Sequence, residues 1–394
     1  RGAAPRAPSG TGSPTFVPGL SPFPAFALDG ERRGPLKRVA MTKKKIALVG
    51  FGFISGKGHV PAFAKRTDVE VVAVADICPE RRELARKDLP HARIYDDWKK
   101  MLVEEKDLDI VDIATPPYVH AEIAIAALER GCHVLCEKPL AMSTAEARRM
   151  LDAATRASRV LFPCHNYKHA PVVKVIEEAI RSGRIGEVTS VTLQTFRNTH
   201  AKGVKEWKTD WRRERKFSGG GIAMDHGSHT FYLTFSWLAS LPVALTAKCL
   251  KLSPEWDTED NLTVTLEFPG KRFAHSYLSW TAGIRKVIYT VQGTKGAVVV
   301  NDDDAEISVG FPNTGSHGGT SDYKVEKFTI ESDWMDASHT KWFNSMFDKF
   351  LGCISRGDVL NEEIRESYAC VEVIEKSFLS SERKSAELPL ECSF

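Results

Sequence analysis

The sequence contains no long hydrophobic run. No stretch approaches the ~18 uninterrupted apolar residues that a membrane span needs, which excludes an integral helical membrane protein. Its eight cysteines include no C-x-x-C pair and no zinc-ribbon spacing, so no metal site is expected. Scattered thiols in a long chain point instead to a reducing compartment, the cytoplasm. No internal repeat and no heptad pattern is present. Charge of one sign is also lacking: 54 Lys+Arg face 51 Asp+Glu, a net +3. What is there is ordinary globular material, 42% hydrophobic and 27% charged, enough for a sizeable core. At roughly 150 residues per domain, 394 residues make about two domains.

The small positive charge belongs to one end. Residues 1–40 hold six basic residues against two acidic, a net +4, which leaves −1 of the +3 to the rest. Basic balance therefore gives no support to a nucleic-acid partner. The same segment holds seven Pro and six Gly without a period, a density that propagates neither helix nor ladder. Pro18, Pro22 and Pro24 break its apolar residues, so it does not read as a secretory signal. It is expected to be a disordered leader, upstream-translated or appended, with organelle import as the lesser alternative, and Met41 directly precedes a strand.

From residue 41 to 163, short apolar runs alternate with helical patterns. Strands are expected at Lys45–Gly50, Val69–Asp76, Asp109–Thr115, Cys132–Glu137 and Val160–Pro163, and helices at His59–Arg66, Pro79–Asp88, His120–Arg130 and Thr144–Ala157. Continuous apolar strands joined by helices imply a parallel sheet covered on both faces, a doubly wound α/β Rossmann sheet of about six strands. From 164 to 394 the rhythm changes. Successive strands at 187–197, 243–252, 261–268, 272–280, 286–293 and 296–301 argue for an α+β domain with a large, mostly antiparallel sheet. Helical patterns flank it at 170–182, 228–239, 337–356 and 363–379.

Chemistry concentrates in three places. Gly50-Phe51-Gly52-Phe53-Ile54-Ser55 follows a strand and opens a helix, as a phosphate-binding loop does. Gly50 permits the tight turn, Gly52 lets backbone approach a pyrophosphate, and Ser55 is small enough for the packing position. Asp76 ends the second strand, where a carboxylate accepts from ribose hydroxyls and repels a ribose phosphate. This favours NAD over NADP, although Arg81 and Arg82 keep NADP open and Asp76 reads equally as a cap for the helix at Pro79. Glu137-Lys138-Pro139 ends another strand, where ligands of such sheets bind, and a Lys there can favour an alkoxide. Gly219-Gly220-Gly221 leads into Asp225 and His229, four apart and so on one helical face, where a His can accept an alcohol proton. Taken singly, Lys138 reads as a solvated side chain and His229 as a structural one.

Taken together, these motifs resemble the Gfo/Idh/MocA family of nicotinamide-dependent dehydrogenases over about 41–390. The resemblance rests on 45–63 (KIALVGFGFISGKGHVPAF), 114–141 (ATPPYVHAEIAIAALERGCHVLCEKPLA) and 218–229 (SGGGIAMDHGSH). It implies Lys138, Asp225 and His229 as the catalytic set and a cis bond before Pro139. It implies a cofactor lying across Gly50, Gly52, Phe53, Ile54, Ser55 and Asp76. Thr115, Pro116 and His120 would lie beside the nicotinamide or its ribose, with Glu137 and Lys138 close by. It also implies a homodimer or homotetramer formed through the open face of the second sheet. Two departures touch the substrate side: the N-x-R-[FY]-x-P segment reads Asn166-Tyr167-Lys168-His169-Ala170-Pro171, and D-x-G-x-H-x-x-D ends in Tyr232. Substrate contacts are expected from His165, Asn166, Tyr167, Trp211 and Arg212 as well as the catalytic set, with Trp207 nearby.

The function expected is NAD(P)-dependent oxidation of a secondary hydroxyl of a sugar, sugar derivative or cyclitol. His229 takes the proton, Asp225 orients the imidazole or a neighbouring hydroxyl, and Lys138 stabilises negative charge. Two rivals stand beside it. One is an NAD-dependent glycosidase of the same family, using His165, Tyr167 and His226 as extra acid/base groups. The other is a non-catalytic NAD-binding sensor, against which the intact Lys–Asp–His set argues.

Overall fold

β-Branched and aliphatic residues crowd the short runs of the first half because these strands are buried on both faces. In the computed structural model, which describes residues 43–302, 304–309, 324–330 and 340–393, they form β1 (Lys44–Val49), β2 (Val69–Ala75), β3 (Arg93–Tyr95), β4 (Ile110–Ile113), β5 (His133–Cys136) and β6 (Leu161–Pro163). The leader expected at 1–40 lies outside the described residues. The sheet order is β3-β2-β1-β4-β5-β6, with every pair parallel. Order reverses between β1 and β4, the switch point beside which such sheets bind ligands.

The helices Pro79–Asp88 and Thr144–Ala157 form as expected, and His120–Glu129 ends one residue early. The helix expected over His59–Arg66 forms earlier. A π-helical turn, Ser55–His59, runs into Val60–Phe63. Gly56 and Gly58 read as breakers in the sequence and concealed this start. β3 and the helix Trp98–Glu104 were not foreseen, since three and seven residues carry little periodicity.

The second sheet comprises β7 (Val188–Phe196), β8 (Ala244–Leu250), β9 (Asn261–Phe268), β10 (Arg272–Ser279), β11 (Lys286–Gly293), β12 (Gly296–Asn301), β13 (Asp304–Val309), β14 (Lys324–Thr329) and β15 (Leu388–Pro389). Its order is β14-β13-β12-β11-β7-β10-β9-β8-β15, antiparallel except where β7 meets β10. β13 to β15 extend the sheet beyond the six strands legible in the sequence. Helices form at Pro171–Arg181, Ser228–Leu238, Thr340–Arg356 and Glu362–Glu382; residues 337–339 of the expected helix 337–356 lie outside the described residues.

The two sheets share helices from the chain's end. Ala47, Val49, Val111 and Ile113 face the helices His120–Glu129 and Thr144–Ala157, and the core on that side takes in Ile364, Tyr368 and Val371. On the other face Ile46, Ile110, Leu135 and Phe162 pack on Phe343, Phe347 and Phe350. Each buried Phe contributes on the order of 2 kcal/mol. One cover of the first sheet thus comes from Thr340–Arg356, far beyond the point near 163 where strand–helix alternation stops.

Candidate active site

The loop after β1 is shaped by backbone contacts. Gly50 has φ +91°, and a Cβ there would lie 2.8 Å from the Ala114 carbonyl oxygen, so no other residue fits without strain. At Gly52 the reverse holds: a Cβ would meet no atom of the described residues within 4 Å. It would stand on the wall of a cavity of about 570 Å³ that runs from this loop to Asp225 and His229. Phe53, half exposed, and Ile54 share that wall, whereas Ser55 is fully buried behind it.

Asp76 lines the cavity and also braces the loop. One carboxylate oxygen accepts the Phe51 N–H at 2.6 Å, the other the Cys78 N–H at 2.8 Å. Each oxygen keeps a lone pair for a further donor, so the ribose and capping readings are compatible. Arg81 donates to the carbonyls of Phe51 (2.6 Å) and Gly52 (3.3 Å), and Arg82 to those of Asp76 (2.9 Å) and Ile77 (3.0 Å). The two cations that kept NADP open are thus committed to backbone oxygens beside a carboxylate, an arrangement suited to an unphosphorylated ribose.

Thr115 and Pro116 line the middle of the cavity. His120 does not. It is buried behind them, with Nδ1 2.9 Å from the Pro139 carbonyl and Nε2 2.8 Å from that of Thr115, tying the two cavity-forming turns together. Glu137 and Lys138 reach the cavity from the end of β5, and the Lys138–Pro139 bond is cis.

At the far end Lys138 Nζ donates to the Asp225 carbonyl (2.9 Å) and to its Oδ1 (3.1 Å). Arg212 Nε lies 3.4 Å from Oδ1 and His226 Nδ1 3.3 Å from Oδ2. Burial opposes the Asp225 charge, but Lys138 first, then Arg212 and His226, hold its carboxyl well below the usual range. The His229 imidazole lies flat on the Tyr167 ring, centroids 3.9 Å apart, with Nδ1 2.6 Å from the Tyr232 hydroxyl. That hydroxyl also accepts the Tyr167 N–H at 3.2 Å. Asp225 is expected to orient this imidazole or a neighbouring hydroxyl; in the structure the imidazole Nδ1 meets Tyr232, and the carboxylate lies against Lys138, Arg212 and His226. Tyr232 was visible in the sequence only as a departure from a motif.

The Gly-rich entry to this segment is equally constrained. Glu259 Oε1 accepts the N–H groups of Gly221 (2.7 Å) and Ala223 (3.0 Å), and a Cβ on Gly221 would fall 1.7 Å from the Glu259 carbonyl oxygen. The π-helical turn Ala223–Gly227 that follows carries Asp225, and Ser228–Leu238 carries His229. Glu259 lies 38 residues from Gly221, so no local pattern announced it.

Of the expected substrate contacts, Asn166, Tyr167, Trp211 and Arg212 line the cavity, as does Trp207. The Arg212 guanidinium stacks 4.3 Å over Trp211. His165 does not line it. It is buried behind Tyr232, stacked on that ring at 4.1 Å, with Nδ1 2.7 Å from Glu363. Burial pushes its pKa down to about 4 despite the carboxylate.

The cavity fits a dinucleotide at one end and a hydroxylated ligand at the other. The open space beside Gly52 suits a pyrophosphate, and Thr115 Oγ1 is a buried polar atom without a hydrogen-bond partner among the described residues. Family comparison agrees. Residues 44–165 match the model of the oxidoreductase family's NAD-binding Rossmann fold, and 177–390 that of its C-terminal alpha/beta domain. Among characterised proteins, a D-glucoside 3-dehydrogenase of Escherichia coli is 31% identical over 58% of this chain and 68% of its own length. A levoglucosan dehydrogenase of Pseudarthrobacter phenanthrenivorans is 33% identical over 48% of this chain, a match spanning half its own length. The solved structure of a levoglucosan dehydrogenase with NADH and levoglucosan superposes with a TM-score of 0.75 at 22% identity, covering 89% of this chain and all of that one, which shows the shared fold.

Proposed function

The chain belongs to the Gfo/Idh/MocA family of NAD-binding oxidoreductases, and from that premise we propose that it oxidises a secondary hydroxyl of a sugar, sugar derivative or cyclitol. The observation that carries this reading is the meeting of Lys138, Asp225 and His229 on the wall of the cavity that begins at Gly50 and Gly52. Bound NAD supplies a hydride acceptor. Everything else falls to the chain's own side chains.

Lys138 presents an ammonium held by Asp225, ready to stabilise charge on the reacting oxygen as its proton leaves. His229 takes that proton. The Tyr232 hydroxyl accepts Nδ1–H, a tautomer assigned from the hydrogen-bond network, and this leaves Nε2 as the basic nitrogen. Burial keeps the Tyr232 phenol well above its usual range, so it orients the imidazole as a neutral group. Asp225 holds the Lys138 amine in place, and Trp207, Trp211 and Arg212 offer an aromatic face and donors for a ring with hydroxyls. The hydroxyl proton passes to His229 and the carbon-bound hydride to the nicotinamide, leaving a ketone.

The names of two relatives, a glucoside dehydrogenase and a levoglucosan dehydrogenase, support sugars as the class. Of the extra acid/base groups that the glycosidase reading needs, Tyr167 and His226 line the cavity, whereas His165 is held by Glu363 behind it. All eight cysteines are unpaired, which supports a reducing compartment such as the cytoplasm, and no described helix is long and apolar enough to cross a membrane. Phe273, Tyr277 and Val299 are exposed on one face of β10 and β12, which supports self-association through that face.

The test is a panel of cyclitols, aldoses, glycosides, uronates and amino sugars, each with NAD and with NADP, following reduced nicotinamide and freed sugar together. NAD reduction without glycoside cleavage is expected. Sugar release without net reduction, or no turnover across the panel, contradicts the reading.

A further inference from the structure

Beneath the cavity, three buried side chains take no part in the steps above. His59, the last residue of the π-helical turn, is fully buried. Its Nδ1 lies 2.7 Å from Asp112 Oδ2 on β4 and its Nε2 3.2 Å from Glu137 Oε1 at the end of β5. The other Glu137 oxygen accepts the backbone N–H of Lys138 at 3.0 Å. Rings close the pocket around the imidazole: Phe343 at 3.9 Å between centroids and Phe63 edge-on at 6.3 Å.

Both ring nitrogens face a carboxylate, and both donate only in the imidazolium form. Two buried carboxylates side by side repel one another and lose hydration, and a cation between them offsets both effects. Burial opposes the imidazolium, yet Asp112 and then Glu137 raise the His59 pKa to about 9. Burial likewise opposes the Glu137 charge, but His59 first and Lys138 second keep it below its usual range. Glu137 is therefore a fixed anion with both oxygens engaged, one by His59 and one by the backbone of Lys138.

We propose that His59 is a positioning residue of the hydride-transfer site: it pins Glu137, and through Glu137 the backbone turn that carries Lys138. The inference rests on the role given to Lys138 above. His59, Glu137 and the Cys164 thiol also lie close enough to share one metal ion. A metal needs the thiolate, and burial beside Glu137 and Asp112 pushes the Cys164 thiol well up. The protonated cluster accounts for both imidazole contacts without an ion.

The test is a double-mutant cycle of His59→Asn and Glu137→Gln, with His59→Gln as the conservative variant. Readouts are the NAD dissociation constant, kcat with a sugar the wild type oxidises, and the NMR shift of the Lys138 amide. Each single variant is expected to lose ~100-fold in kcat, the scale of an ångström-level misplacement, and His59→Asn, at a position that does not line the cavity, leaves NAD affinity nearly unchanged. The double variant falls no further than the worse single, because His59 acts through Glu137. His59→Gln, whose amide reaches toward Glu137 in place of Nε2–H, retains more activity than His59→Asn, and the Lys138 amide shifts in His59→Asn. Multiplying losses, an unchanged kcat, an unmoved Lys138 amide, or stoichiometric zinc in the purified protein overturns the inference. If His59→Asn does not fold, Asp112→Asn decides. The charged and titratable groups around His59 are Asp112 and Glu137, with Lys138, Cys136 and Cys164 beside them, so removing one carboxylate should lower the pH at which nitrogen NMR sees the imidazolium lose its proton; an unmoved titration overturns the inference. If the wild type oxidises no sugar, the functional reading fails, while the Lys138 amide, read without substrate, still decides this one.

Discussion

Gly52→Ala separates cofactor binding from folding. A Cβ at this position touches no atom of the described residues within 4 Å, and the backbone there is not left-handed. Stability of the free protein should hold or rise by about 0.4–1 kcal/mol, since the unfolded chain loses freedom. The added methyl stands where a pyrophosphate approaches the loop, and NAD affinity should fall ~10–100-fold, about 1.4–2.8 kcal/mol. At NAD near 100 times the wild-type dissociation constant, the wild type gains about 2.7 kcal/mol of stability, and the variant only about 0.4–1.4. Thermal unfolding with and without NAD reads both numbers. Gly50→Ala is the contrast: φ +91° and a carbonyl oxygen 2.8 Å from the new Cβ should cost the free protein ~1–3 kcal/mol. A Gly52→Ala protein with the wild-type NAD shift would refute the placement of the cofactor.

Three other outcomes are expected. Because the His59 pKa is raised from 6.5 to about 9, its contribution to stability, at most about 3 kcal/mol, is fully present below pH 6.5. It should fade as pH rises through 9, and His59→Gln should flatten that part of a denaturation-versus-pH curve. Tyr232→Phe removes the hydroxyl at His229 Nδ1 while keeping the ring on His165; kcat should fall ~10–100-fold with little change in NAD affinity, the scale of one hydrogen bond to a general base, and kinetics across pH will read it. Phe273→Glu on the exposed face of β10 should weaken the self-association proposed through that face, read as smaller species in light scattering, while leaving NAD binding intact.

Much of this architecture was legible because its elements are locally determined. Asn261–Phe268 and Lys286–Gly293 form over the residues their alternation predicts, and Pro79 marks a helix start by its own chemistry. Three-residue β3 carries no period, and β13 and β14 went unforeseen. The cover of the first sheet by Thr340–Arg356 was hidden for another reason. Its apolar face says that it packs, and says nothing about which sheet receives it. The site divides in the same way. Gly50, Lys138, Asp225 and His229 sit in motifs whose resemblance to a known family implies their chemistry. Glu259 on Gly221, Tyr232 on His229 and His59 on Glu137 are contacts made by the fold. His165 illustrates the converse: it neighbours Asn166 and Tyr167 in sequence, but only those two reach the cavity.

Lys138 is proposed to act on a reacting sugar hydroxyl beside bound NAD. This role is tested most directly by comparing wild type and Lys138→Met in a single turnover with NAD and an oxidisable sugar, with NAD binding measured on the same samples. NAD affinity should stay within about threefold of wild type and hydride transfer should slow by ~10³-fold or more, the scale of losing one charge-stabilising group. Hydride transfer at the wild-type rate in Lys138→Met, with NAD bound, would contradict it.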